Sequence, residues 1–79
     1  MSRKLITAMQ DVVAKEGIPG RIRLAMAAKK SERMIVRYMN GDSNPTSDTA
    51  YSIALACGCS DKEALALARE SSGQTVKSA

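Results

Sequence analysis

Apolar residues recur along the chain at the three- and four-residue intervals of a helix, and nowhere alternate over a length that suits a strand. Leu5, Ile6, Met9, Val12 and Val13 form the first such stripe, with Ser2 placed to cap it and Gly17 to stop it. "GIPGR" then predicts a tight corner, because Pro19 is acceptable in the first turn of a second helix. Ile22, Ala25, Met26 and Ala28 are expected to line the inner side of that helix. Ser31 caps a third helix that runs to Met39 and is ended by Asn40-Gly41, with Ile35 and Tyr38 on its inner side.

"DSNPTSD" is a turn cluster, and Asn44 before Pro45 is biased away from the helical region. Thr46 or Ser47 caps a fourth helix whose stripe is Ala50, Ile53, Ala54 and Cys57, with Gly58 at its end. Ser60 and Glu63 form a capping box for a fifth helix from Asp61 to about Glu70, with Leu65 and Ala68 facing inward. The tail "SSGQTVKSA" has little to bury and is expected to fray. The pattern gives an all-α fold, a compact bundle of about five short helices. One domain spans residues 1–70, followed by a flexible tail over 71–79. Short connections force consecutive helices to turn sharply, so residues 19–39 read as a helix-turn-helix. A helix about 11 Å across fits a major groove about 12 Å wide.

Composition narrows the picture. With 79 residues, no Phe or Trp and two Tyr, the core rests on aliphatic side chains and five Met, so a partner subunit would contribute usefully to stability. No apolar run approaches the roughly 18 residues that span a bilayer, and "MSRKLITAMQDVV" lacks the continuous apolar stretch of a signal peptide. A cytoplasmic location and no membrane partner are expected. Cys57 and Cys59, without any His, make neither a disulfide framework nor a zinc site. Cys57 reads as a small buried helix residue and Cys59 as a loop thiol. No metal and no cofactor are expected. The chain lacks His, a Gly-rich phosphate loop and an acidic pair, and Ser31 and Ser47 are explained as caps. The pattern therefore does not predict an enzyme.

Charge changes the picture more. From Arg21 to Arg37 lie six basic residues (Arg21, Arg23, Lys29, Lys30, Arg33 and Arg37) against the single acid Glu32, a net of +5. The rest of the chain carries six basic and seven acidic residues, a net of −1. The whole-chain excess of +4 therefore belongs to one segment. Such an excess defines a face, and duplex phosphate is a fitting counterpart.

"RIRLAMAAKKSERMIVRYMNGDSNPTSDTAYSIALACGCSDKEAL" resembles the Cro/C1-type (XRE-like, lambda-repressor-like) helix-turn-helix domain of phage repressors and related regulators. The matching features are Ala25 in the second helix, Ser31 opening the third, Ile35, the aromatic Tyr38, then "NG", "NPTSDT" and "IALACG". The resemblance covers about residues 18–66. The turn departs from the family pattern, with "AAKKS" where a Gly is usual, so a different turn geometry is expected.

The resemblance implies that residues 31–39 form the recognition helix of a transcription regulator on double-stranded operator DNA. It places base contacts at Glu32, Arg33 and Arg37, and a phosphate contact at Asn40. Side-chain chemistry adds Arg21, Lys29 and Lys30 as phosphate contacts. Arg33 and Arg37 suit guanine O6 and N7, and Glu32 suits a cytosine N4 amine or, alternatively, the helix dipole. A homodimer on a two-fold site is expected, with Leu65 and Leu67 as interface candidates. No small-molecule effector is evident. The other reading is an antitoxin-like or regulatory protein-binding module on the same fold.

Overall fold

The computed structural model describes residues 2–72, in which five helices follow one another without an intervening strand: α1 (Arg3–Glu16), α2 (Ile18–Ala28), α3 (Glu32–Met39), α4 (Ser47–Ala56) and α5 (Asp61–Ser72). Among these residues, no helix is long and apolar enough to cross a membrane. Fourteen buried apolar residues, drawn from all five helices, make one core. Leu5, Met9, Leu24, Ile35 and Ile53 are its largest wholly enclosed apolar side chains. Many of the remaining core members are Ala, so the helices sit close together.

Helices α1 and α2 approach each other closely at Gly20. A Cβ at Gly20 would lie 2.7 Å from Glu16 Cβ and 3.0 Å from the Val12 carbonyl oxygen, so only glycine fits there. Four and eight residues later on the same face come Leu24 and Ala28, both buried. This fixes the inner side of α2 and corrects the expected one. Ala25 and Ala28 are inside as expected, but Ile22 and Met26 point to solvent. The apolar spacing of α2 allows two stripes, and the backbone contact at Gly20 selects between them.

Most caps follow local chemistry. The Ser31 hydroxyl accepts from the Met34 N–H at 3.2 Å, and Thr46 rather than Ser47 caps α4, accepting from the Thr49 N–H. Ser60 and Glu63 form the reciprocal capping box: Ser60 Oγ accepts the Glu63 N–H, and Glu63 Oε1 accepts the Ser60 N–H at 3.1 Å. Ser2 behaves differently. It occupies the N-cap position of α1, but its hydroxyl donates to Glu70 Oε1 at 3.0 Å and its N–H donates to Ser71 Oγ at 3.1 Å. Distant acceptors on α5 take the place of the local cap and tie the start of the chain to that helix.

Two expectations for α5 are corrected. Leu65, placed inside from its spacing, is 52% exposed, whereas Leu67, paired with it as an interface candidate, is 8% exposed and belongs to the core with Ala64 and Ala68. The helix also continues past Glu70 to Ser72, with Ser71 buried against Ser2. From residue 73 on, the expected tail lies outside the described residues. Cys57 is half-buried at the C-cap of α4, and Cys59, in the loop, is half-buried too; both thiols are free. Burial pushes the Cys57 thiol up to about 11, with Cys59 adding to the effect.

Candidate nucleic-acid interface

The basic segment folds as α2, a turn of three residues and α3. The turn repeats a geometry found twice more among the described residues. Lys29 adopts the left-handed conformation (φ 56), its N–H donates to the Met26 carbonyl at 3.2 Å, and the Lys30 N–H donates to the Ala25 carbonyl at 3.0 Å. The same pair of bonds closes α3 at Gly41 (φ 80) and α4 at Gly58 (φ 96). This is the Schellman closure, which satisfies the last carbonyls of a helix. The "AAKKS" turn thus keeps the geometry expected of a glycine turn, and Lys29 is the sole non-glycine with positive φ among the described residues. A β-carbon in that conformation costs on the order of 1–2 kcal/mol. In exchange, two consecutive ammonium groups stand at the corner between the helices.

Helix α3 divides cleanly. Ile35 and Tyr38 are buried, with Met34 and Met39 packed beside them. Both methionines are partly buried against the core. The opposite arc carries Glu32, Arg33, Val36, Arg37 and Asn40. Arg33 and Arg37 are one turn apart and exposed. Like the exposed Lys29 and Lys30, they form no salt bridge with any described residue. Four uncommitted cations therefore share the turn and the outer arc of the third helix. The solvation that such a cluster needs is available from phosphates as readily as from water.

Two cations of the segment are committed. Arg21 Nε donates to Glu32 Oε1 at 2.9 Å, joining the first turn of α2 to the first turn of α3. Residue spacing within one helix cannot reveal this pair, since it bridges two helices. A cue did exist: opposite charges in the first turns of consecutive helices joined by a short corner. Glu32 is thereby oriented by a side chain, beyond the dipole compensation that its position alone suggests. Arg21 keeps its Nη donors, because the Nε–H alone serves Glu32.

Arg23 leaves the face altogether. Its Nη2 and Nε donate to the two carboxylate oxygens of Glu16 at 2.6 and 3.1 Å, and its Nη1 donates to the Ala56 carbonyl at the end of α4. The fork braces α1, α2 and α4 together. These hydrogen bonds, donated by Arg23 and accepted by Glu16, hold the Glu16 carboxyl below its ordinary value and raise that of the Arg23 guanidinium. One of the six basic residues counted in the sequence is thus structural.

Comparison with known proteins agrees with this geometry. A family model described as helix-turn-helix matches residues 21–63, just over half of the chain, beginning at Arg21 and ending within α5. No curated protein and no solved structure matches it significantly. The matched span contains the whole of α3 and α4 with the Lys29 turn before them, in the order the resemblance requires. The chain belongs to the Cro/C1-type (XRE-like) helix-turn-helix family, whose domains are DNA-binding regulators.

Proposed function

We propose that the protein is a sequence-specific transcriptional regulator that binds double-stranded operator DNA, of the phage-repressor or Cro-like kind, with α3 in the major groove. The observation that carries this reading is the outer arc of α3. Arg33 and Arg37 stand exposed and uncommitted on it, while the opposite side is buried by Ile35 and Tyr38. Arg33 and Arg37 donate to guanine O6 and N7, each contributing about 1–3 kcal/mol of discrimination. Glu32 accepts from a cytosine amine and is held for that role by Arg21. Lys29, Lys30, Asn40 and the free Nη groups of Arg21 grip the backbone and fix the register.

One small domain with so few phosphate contacts binds modestly, so the functional unit is a homodimer on a two-fold site with half-sites about 34 Å apart. Of the two leucines expected at that contact, Leu65 is the one exposed on α5. Selection from a random duplex library tests the reading, followed by titration of the winner and a scrambled duplex across salt concentrations. A palindromic winner held far more tightly than the control supports it. Weak binding without enrichment, vanishing as salt rises, sinks it and favours a protein-binding module on this fold.

A further inference from the structure

The second helix has an apolar face that the fold does not use. Ile18 is 61% exposed, Ile22 40% and Met26 74%, and they follow one another at four-residue intervals along a single stripe of α2. Large aliphatic side chains scattered singly on a surface need no explanation, but three in a row on one helix form a contiguous patch, the usual mark of an interface. The packing of α2 does not demand them, since Gly20, Leu24, Ala25 and Ala28 already fill its buried side. Among the described residues, three of the five exposed large apolar side chains lie on this stripe.

Charge decides what covers it. Helix α2 contains no acidic residue, and the stripe runs at its C-terminal end into the uncommitted Lys29 and Lys30. The nearest acid before it in sequence, Glu16, is consumed by Arg23. A second copy laid antiparallel on this face would set Lys29 and Lys30 against the N-terminal, positive end of the other α2, where the acid Glu16 is already held by Arg23. Duplex DNA would neutralise the lysines but would set phosphates against isoleucine and methionine. A protein helix with apolar residues at matching spacing and acidic residues at its margin meets both demands, with the apolar rows interlocking and carboxylates reaching the two lysines.

We propose that the Ile18–Ile22–Met26 stripe of α2, with Lys29 and Lys30 at its end, is the docking surface for an acidic amphipathic helix of a partner protein. The inference does not depend on the DNA-binding reading. Because the lysines are shared with the proposed phosphate grip, docking and DNA binding compete.

The test uses the full chain and a fluorescent synthetic helix of about 16 residues, long enough to be partly ordered alone, with Leu at four-residue spacing and Glu at the margins. A second peptide of equal charge carries Gln in place of each Leu. Saturable binding of the Leu peptide is expected, weakened about tenfold or more in the double variant Ile22→Gln/Met26→Gln. That variant should keep the wild-type melting temperature and the wild-type affinity for duplex DNA. Equal binding of both peptides reduces the site to charge and overturns the proposal, as does a double variant that binds like the wild type. Conversion of a dimer to a monomer by the double variant assigns the stripe to a second copy, and loss of duplex binding assigns it to DNA; either result overturns it too.

Discussion

The helix pairs α2–α3 and α4–α5 are built on one plan and finished differently. Each is two helices joined through a Schellman closure and a serine N-cap. In the second pair every local position is occupied by the residue that geometry favours. Gly58 takes the left-handed site, Glu63 reciprocates the Ser60 cap, and the Tyr51 hydroxyl donates to Asp61 Oδ1 across the two helices. In the first pair Lys29 holds the left-handed site, and Met34 stands where an acid would complete the box. The second pair is optimised as scaffold. The first accepts a local cost at Lys29, which the proposed function accounts for as the presentation of cations to DNA.

The largest effects should not distinguish the pairs at all. Ile35 and Ile53 are both wholly enclosed in one core, so Ile35→Ala and Ile53→Ala should each destabilise by about 2–5 kcal/mol, read from denaturant midpoints. An Ile35→Ala chain as stable as the wild type would mean that the inner face of α3 is misassigned, and with it the outer one.

DNA affinity should separate the pairs next. Arg37→Ala should cost about 1–3 kcal/mol on the selected operator and much less on random duplex. Lys30→Ala should weaken both duplexes and lower the salt slope by about one unit. Lys62→Ala, which removes an exposed cation from α5, should change neither. Equal losses on both duplexes for Arg37→Ala would make it a backbone contact.

The turns offer a reciprocal exchange. Lys29→Gly should stabilise by about 1 kcal/mol through relief of the left-handed β-carbon, while Gly58→Lys should destabilise by about the same amount. The gain at residue 29 should come with weaker DNA binding. Thermal melts and salt-dependent titrations of the two variants would show stability and affinity moving in opposite directions only for Lys29. Parallel movement would break the distinction between the pairs.

What the sequence made legible is what is settled within about four residues. The Ser31 and Ser60 caps, the stop at Gly17 and the closures at Gly41 and Gly58 are all local chemistry, so the helix limits could be read. The outer arc of α3 was readable as well, because a helix with Ile35 and Tyr38 on one side leaves Arg33 and Arg37 on the other. The rest is decided between helices. Nothing in the period of α2 says that Leu24 goes inside and Ile22 outside, and only Gly20, four residues before Leu24, carried a hint through its fit against Val12. In α5, likewise, the period alone does not say that Leu67 lies inside and Leu65 outside. The bonds of Ser2 to Ser71 and Glu70 and the Arg21–Glu32 pair join groups that lie far apart in sequence or across a corner.

Arg23 supplies the smallest expected effect and the sharpest contrast with its neighbours. It belongs to the same basic segment as Lys30 but braces α1 and α4. Arg23→Ala should therefore lower stability slightly and leave operator affinity unchanged, the reverse of Lys30→Ala. The pair also has a signature in acid. Because Arg23 holds the Glu16 carboxyl below its ordinary value in the folded chain, the ion pair stabilises the fold above the unfolded-state pKa. That contribution is lost as pH falls below the ordinary carboxylate range and through the lower, folded value. Both side chains are well exposed, so the step is small and salt should shrink it. Melting curves from neutral to acid pH should show it in the wild-type chain and not in Glu16→Gln. An identical acid profile in the two chains would mean that the fork does not hold in solution, and Arg23 would then rejoin the cations available to DNA.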